Sequence, residues 1–271
     1  MTSGEKKQLA LLIFVWALLA VVFSFYDLKI SIRLYDPDSA WAYMLEAYGQ
    51  IPGLIVALLG GSVLLRLRGW KPGWKEILLT LFYAGFTLLA ALVIWADLQG
   101  VQVGDEISVG WTISLGALTV TALQVLLRFI PHERLLRFEK PARVAVLLYV
   151  FAPLLTTWFF KFLWGRVTFR ELASGYIDFT PWYLPQGYTG HRSFISGHTG
   201  FAWLVLPLTL LATKGRRAYY LVWLGVLLWG ISVAVSRVVI GAHFASDVLF
   251  ATGISFLWFF ALRHLIMKGK G

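Results

Sequence analysis

The chain has 271 residues, of which 59% are hydrophobic and only 14% are charged. Soluble domains carry about 25% charged residues, so this composition indicates an integral membrane protein. The chain has no cysteine, which excludes disulfides, a thiol nucleophile and a cysteine-ligated metal. The net charge of +10 does not indicate nucleic-acid binding, because the spans leave no soluble domain to carry a basic groove.

Eight apolar segments are long enough, or nearly so, to cross a bilayer, which needs about 17–25 helical residues. They are residues 8–26, 51–66, 76–96, 108–129, 144–163, 198–213, 218–236 and 246–266. The sequence therefore predicts an all-α, polytopic transmembrane bundle of about eight spans, within a range of six to eight. We treat residues 1–271 as a single membrane domain. Its N-terminal helices lie in 1–143, and the helices that carry the candidate chemistry lie in 144–266.

Basic residues are unevenly shared between the two sets of alternate loops. The set that includes both termini holds 17 of the 24 Lys and Arg residues but only four of the 14 Asp and Glu residues. Positive charge marks the cytoplasmic side of a membrane protein. We therefore predict that both termini are cytoplasmic, that the first span is an uncleaved helix, and that the protein lies in the plasma (inner) membrane.

The last connection, between the seventh and eighth spans, carries three ionisable residues. Ionisable groups at membrane depth are costly and are functional by default. If this stretch is helical from about Ala242, His243 and Asp247 are i and i+4 on one helix face. The carboxylate then orients one imidazole nitrogen and leaves the other free as a nucleophile or base, while Arg237 adds a permanent positive charge for an anionic target.

Two other places bring charge to the same predicted outer depth. Lys161 ends the fifth span, and Ser196-Gly197-His198 begins the sixth. The sixth and eighth helices both start outside, so both are expected to offer backbone N–H groups to an anion such as phosphate. Of the two histidines, His243 is the better nucleophile, and His198 is free to protonate the leaving oxygen.

Three segments resemble the signature motifs of the type 2 phosphatidic acid phosphatase family, which also includes bacterial acid phosphatases and vanadium haloperoxidases. The third motif is matched fully by Ser236, Arg237, His243 and Asp247. The second, Pro-Ser-Gly-His, is Ile195-Ser196-Gly197-His198 here. The first, which in the family runs from Lys to Arg-Pro, begins at Lys161 but has Thr168-Phe169 in place of Arg-Pro.

The resemblance implies a role for each matching residue. His243 would be the nucleophile, Asp247 the residue that orients it, and His198 the acid. Phosphate would be bound by Lys161, Ser196, Gly197 and Arg237, without a metal or other cofactor. One phosphate contact is missing at Thr168, and the three nearby candidates to replace it are Arg166, Arg170 and Arg192.

The predicted function is a metal-independent phosphatase that hydrolyses a lipid phosphate or diphosphate at the outer leaflet through a phosphohistidine. The candidate substrates carry similar phosphate headgroups: undecaprenyl diphosphate, phosphatidic acid, phosphatidylglycerophosphate and lipid A. The partners implied are the bilayer and its lipid substrate, with no nucleic acid. Three alternatives stay open: a lipid phosphotransferase that uses the same site, a metal site built from the two histidines and Asp247, and an anion or phosphate transporter.

Overall fold

The computed structural model describes residues 3–68, 73–100 and 106–267, and the predicted range 1–271 extends beyond them at each end. Every regular element in the described ranges is helical. The α-helices are α1 (Ser3–Leu34), α2 (Ala40–Tyr48), α3 (Ile51–Arg68), α4 (Trp74–Gln99), α5 (Glu106–Arg128), α6 (His132–Leu136), α7 (Glu139–Tyr149), α8 (Thr157–Trp164), α9 (Gly197–Ala202), α10 (Arg217–Val239) and α11 (Ala245–Met267). The all-α polytopic prediction is confirmed.

Within the described residues, seven segments are long and apolar enough to cross a membrane. They are Ala10–Leu34, Ala40–Arg68, Trp74–Gln99, Val109–Arg128, Glu139–Glu171, Arg217–Val239 and Ala245–Met267. The sixth predicted span, 198–213, is absent from this set. It is broken into α9 and a 3₁₀ helix, Trp203–Leu210, which contains Pro207. A proline without an N–H cannot continue the α-helical hydrogen bonds.

The broken segment, Gly197–Leu210, and the helix α10 that follows it run in opposite directions along the bundle. At about 1.5 Å per α-helical and 2.0 Å per 3₁₀ residue, Gly197–Leu210 extends about 25 Å. The 23 residues of α10 extend about 34 Å in the opposite direction. Residues at the start of α9 and at the end of α10 therefore lie at the same end of the molecule.

The fifth predicted span also contains a break that shapes the site. Between α7 and α8, residues Val150–Thr156 form a π-helical segment around Pro153. Thr157 Oγ1 donates to the carbonyl of Ala152 at 3.3 Å, five residues earlier. Short π-helical segments are frequent at functional sites. Here the segment leads directly into α8, the helix that carries Lys161.

Helix α3 lies between α4 and α7, where two adjacent glycines allow close packing. A Cβ at Gly60 would lie 3.2 Å from the carbonyl oxygen of Ala142 in α7. A Cβ at Gly61 would lie 2.6 Å from Thr87 Oγ1 in α4. Small residues at such positions allow helix backbones to approach closely in membrane proteins.

Two N-terminal helices reach the end of the bundle where α10 stops. The N–H of Asp36, just after α1, donates to the carbonyl of Val239 at 2.8 Å. In the short helix α2, Ala42 is buried against Val239, Ile240 and Ala242. The first span is thus longer than the predicted 8–26, because the helix continues to Leu34.

Candidate active site

A tight turn between α10 and α11 places the nucleophile candidate. Gly241 has a φ of +68°, a conformation that favours glycine, and the N–H groups of Ala242 and His243 both donate to the carbonyl of Arg237. Helix α11 begins only at Ala245, so the prediction of a helix from Ala242 is wrong. His243 precedes the helix, yet its Nδ1 still lies 3.6 Å from Asp247 Oδ2.

Both carboxylate oxygens of Asp247 accept strong hydrogen bonds. Oδ2 accepts from Ser193 Oγ at 2.5 Å and from the N–H of Phe244 at 2.9 Å. Oδ1 accepts from Arg166 Nη1 at 2.7 Å. Asp247 is therefore held in one orientation, with His243 Nδ1 just beyond hydrogen-bond distance of the same oxygen that Ser193 contacts.

Arg166 is bound inside the protein rather than facing a ligand. Its Nη2 lies 2.8 Å from Asp27 Oδ2, and its Nη1 contacts both Ser246 Oγ at 2.8 Å and Asp247. Its Nε donates to the carbonyl of Thr180 at 2.8 Å. These contacts disagree with the predicted phosphate-binding role, because four of the five donor N–H bonds are already used.

The N-terminus of α11 is likewise occupied by the protein's own carboxylates. Asp27 Oδ1 accepts from the N–H of Ser246 at 2.9 Å, and Asp27 Oδ2 accepts from Ser246 Oγ at 2.5 Å. The expectation that this helix start also cradles phosphate is therefore wrong. An anion that bound there would meet the charges of Asp27 and Asp247.

Helix α9 starts at Gly197, within the segment 196–198 to which the sequence assigned phosphate binding and the acid. Ser196 caps the helix, and its Oγ accepts from Thr199 N at 3.4 Å and from Thr199 Oγ1 at 2.9 Å. At Gly197 an added Cβ would lie 3.8 Å from the Lys161 ammonium. The missing side chain at Gly197 thus leaves the space beside Lys161 open.

Arg237 is buried at the centre of the cationic side of the site. Its Nη2 lies 2.8 Å from Glu46 Oε1 of α2. Its Nε and Nη1 are buried and have no hydrogen-bond partner among the described residues. Glu46 therefore holds Nη2 of this guanidinium, while the N–H groups of Nε and Nη1 can still donate to an oxyanion.

Both histidines are held uncharged. Burial, which outweighs the opposing effect of Asp247, lowers the pKa of His243 to about 4, and the charges of Arg237 and Lys161 act in the same direction. Burial also lowers the pKa of His198 well below its usual range, helped by the charges of Arg237, His243 and Lys161. The ring of His198 hydrogen-bonds to the backbone of Glu46. The two imidazoles therefore lie within electrostatic reach of each other and of the same two cations.

The two remaining candidate arginines have different neighbours. Arg170 Nη1 lies 3.6 Å from Glu46 Oε1, so Arg170 and Arg237 share one carboxylate. The guanidinium of Arg192 lies 5.6 Å from the centre of the ring of Trp158, a residue of the helix that carries Lys161.

Sequence reasoning missed Asp27 and Glu46, which come from α1 and α2. Asp27 falls just beyond the predicted first span, 8–26, although it is only 2% exposed. The available signal was its position in Phe25-Tyr26-Asp27-Leu28, an apolar run that the helix continues through. Glu46 has a similar signal, since it is the one acidic residue of α2.

No group of three or more His, Cys, Asp or Glu side chains is arranged to hold a metal ion within 3–68, 73–100 and 106–267. The alternative ligand set of His198, His243 and Asp247 is therefore not assembled as a metal site in these ranges. Lys161 and Arg237 both act electrostatically on each of the two histidines. A pair of fixed cations is suited to an oxyanion rather than to a divalent cation.

Comparison with known proteins agrees with this geometry. Residues 142–270 match the family model of the PAP2 superfamily. Phosphatidylglycerophosphatase B of Haemophilus influenzae (strain ATCC 51907 / DSM 11121 / KW20 / Rd) is 35% identical over 102 residues, a match that covers 34% of this chain and 42% of that protein. The match thus spans less than half the length of that curated relative, and no solved structure matches significantly. Residues 142–270 of this chain are therefore similar to the PAP2 superfamily.

Proposed function

We propose that this protein is a phosphatase that removes a phosphoryl group from a membrane lipid without a metal. The observation that carries the proposal is the meeting of His198, His243, Lys161 and Arg237 at one end of the bundle, from four different helices or turns. Arg237 has two buried donor groups that no described residue of the chain satisfies, which supports a ligand with oxygen acceptors.

His243 acts as the nucleophile in this proposal. Its Nδ1 faces Asp247, which leaves Nε2 for attack on phosphorus. The N–P bond forms as the bond to the lipid oxygen breaks, and His198 gives the leaving oxygen its proton. Water then attacks the phosphohistidine, loses a proton to His198, and releases inorganic phosphate and free His243.

The low pKa of His198 has a direct consequence for this step. A neutral His198 has no extra proton to donate, so the acid must be charged when substrate binds. A phosphate dianion beside His198 opposes the charges of Arg237 and Lys161 and raises the pKa of the imidazole. The substrate therefore helps to protonate its own general acid.

The site lies at one end of helices that are suited to a bilayer, which favours a substrate anchored in the membrane. We infer from the distribution of basic residues that both termini are cytoplasmic and that the site faces the outer leaflet of the plasma membrane. Phosphatidylglycerophosphate is the first substrate to test, because it fits the printed name of the relative. We place the catalytic helices in 144–266 and the supporting helices in 1–143.

The test is phosphate release by the purified protein in detergent with a chelator present. Phosphatidylglycerophosphate, phosphatidic acid, undecaprenyl diphosphate and lipid A are compared as substrates, with His243→Ala as the control. We expect release from at least one lipid, inhibition by vanadate, and no release in the variant. Chelator-sensitive release would favour a metal site instead.

The other two alternatives give different products. Transfer of phosphate to a second lipid without release would identify a phosphotransferase. Movement of a phosphate compound into vesicles without any release, unaffected by His243→Ala, would identify a transporter and contradict the proposal.

A further inference from the structure

A buried charge network connects α1 to the catalytic aspartate. Asp27, Arg166 and Asp247 are at most 2% exposed. Arg166 bridges the two carboxylates, 2.8 Å from Asp27 and 2.7 Å from Asp247. Asp27 lies outside residues 142–270, which match the superfamily, so this contact comes from a part of the chain that the match does not include.

We propose that Asp27 and Arg166 are positioning residues, which fix Asp247 and through it the nucleophile His243. The N-terminal helix α1 thus completes the active site through Asp27, which binds Arg166 and Ser246. This inference rests on the proposed phosphatase function.

The geometry gives Arg166 a single orientation. Two carboxylates, the hydroxyl of Ser246 and the carbonyl of Thr180 accept its N–H groups. One face of its guanidinium lies 3.9 Å from the centre of the Phe244 ring. Because these contacts fix the orientation of Arg166, its guanidinium in turn fixes the position of the Asp247 carboxylate.

Asp27 also acts on Asp247 by a second route. It binds the backbone N–H and the hydroxyl of Ser246, the residue next to Asp247 in the first turn of α11. Loss of Asp27 would release both the guanidinium and the helix start. Because His243 Nδ1 already lies 3.6 Å from Asp247 Oδ2, a small displacement of this carboxylate changes whether the two groups interact.

The charge balance makes the effects of the two residues depend on each other. With Arg166 in place, the two carboxylates are separated by a cation. Without it, Asp27 and Asp247 are buried near each other and repel. Neutralising Asp27 as well would remove that repulsion, so a double variant is expected to be less impaired than the Arg166 variant alone.

The experiment uses the lipid that the whole chain hydrolyses, with phosphatidylglycerophosphate tested first. It measures kcat, KM and the constant for inhibition by inorganic phosphate. For Asp27→Asn we expect kcat to fall about 10–100-fold, as for residues that orient a catalytic ligand. KM and the phosphate inhibition constant should stay within about threefold, because neither residue contacts phosphate. Arg166→Gln should lose more kcat than Asp27→Asn, and Asp27→Asn/Arg166→Gln should recover part of that loss.

Ser24→Ala provides the matched control. Ser24 lies one helical turn before Asp27, and its Oγ accepts from Trp182 Nε1 at 3.0 Å. This variant weakens the contact of α1 with Trp182 but leaves the charge network of Asp27, Arg166 and Asp247 intact. We expect its kcat to stay within about threefold of wild type.

Three results would overturn the inference while the wild-type protein remains active. The first is a phosphate inhibition constant that rises in Arg166→Gln as much as in Lys161→Met, which would make Arg166 a phosphate ligand. The second is an Asp27→Asn kcat equal to that of Ser24→Ala. The third is a double variant worse than Arg166→Gln. If Asp27→Asn fails to fold, the kcat of the double variant, which has no unpaired arginine, is still compared with that of Arg166→Gln. That comparison tests the inference.

An inactive wild-type protein would instead contradict the proposed function, so the two failures are distinguishable.

Discussion

Glu46 Oε1 lies 2.8 Å from Arg237 Nη2 and 3.6 Å from Arg170 Nη1, so one carboxylate of α2 binds two arginines at the edge of the site. The backbone of Glu46 also accepts a hydrogen bond from His198. A carboxylate and a phosphate make similar contacts with guanidinium groups. Glu46 therefore occupies part of the positive charge that a substrate phosphate needs.

Glu46→Gln should strengthen the binding of inorganic phosphate. The amide oxygen of Gln still accepts from Arg237, so the guanidinium stays in place, but the negative charge that competes with phosphate is gone. An interaction of about 1 kcal/mol between partly exposed charges corresponds to about a fivefold change. We expect the inhibition constant of phosphate to fall about three- to tenfold, measured by competition in the lipid assay.

Glu171→Gln is the control for this measurement. Glu171 is a more exposed carboxylate next to Arg170 in the chain, 3.9 Å from His191. Its neutralisation should leave phosphate inhibition within about twofold. Equal effects of the two substitutions would mean that Glu46 acts only through the general surface charge.

His198→Ala should be most damaging for substrates with a poor leaving group. A lipid alkoxide needs a proton from the general acid, and loss of that proton costs about 10²–10⁴-fold in kcat. A nitrophenolate leaves without a proton, so the loss on p-nitrophenyl phosphate should be at least tenfold smaller. His243→Ala should abolish activity on both substrates and form no phosphohistidine.

His132→Ala serves as the control for the two histidine variants. His132 begins α6, in the connection that precedes α7. Its replacement should leave both activities within about twofold of wild type. Equal losses on the two substrates in His198→Ala would contradict the role of His198 as the acid.

Arg170 is the residue that we expect to replace the arginine missing at Thr168. Its backbone N–H donates to the carbonyl of Gly241 at 2.9 Å, in the turn that presents His243. Its side chain already shares Glu46 with Arg237. Arg170→Ala should raise the phosphate inhibition constant about 5–30-fold, whereas Arg192→Ala should raise it less, and the reverse order would assign the contact to Arg192.

Local sequence patterns predicted the all-α fold, whereas the roles predicted for the site residues remain predictions. Hydrophobic length located the helices, and the spacing from Arg237 to Asp247 indicated the catalytic turn. The start of α11 was placed three residues too early, because Gly241 ends the preceding helix in a positive-φ turn that residue identity alone does not specify. The sixth span was predicted as a regular helix, since hydropathy does not detect the change to 3₁₀ geometry around Pro207.

Contacts between distant parts of the chain could not be read from the sequence. Arg166 looked like a phosphate ligand because it follows Lys161, but its partner Asp27 is 139 residues away. Charge alone did not distinguish an arginine that binds a carboxylate from one that binds a substrate. Only the packing of α1 against α11 decides between them.

Acid should destabilise the folded protein through His243. The pKa of His243 is about 4 in the fold, against 6.5 in an ordinary imidazole, so the unfolded chain binds more protons between these values. Stability therefore rises with pH across this window, and the contribution of neutral His243 is complete above about pH 6.5 and lost as the pH falls towards 4. The full difference is about 3 kcal/mol, since each pH unit corresponds to about 1.4 kcal/mol.

The melting temperature in detergent should thus fall between pH 6.5 and 4, and more steeply in wild type than in His243→Gln. Gln has a similar polar side chain but does not titrate, so it removes the proton-linked part of the slope. His132→Gln is the matched control and should keep the wild-type slope. Equal slopes for wild type and His243→Gln would show that other groups, such as the buried carboxylates, account for the whole acid effect.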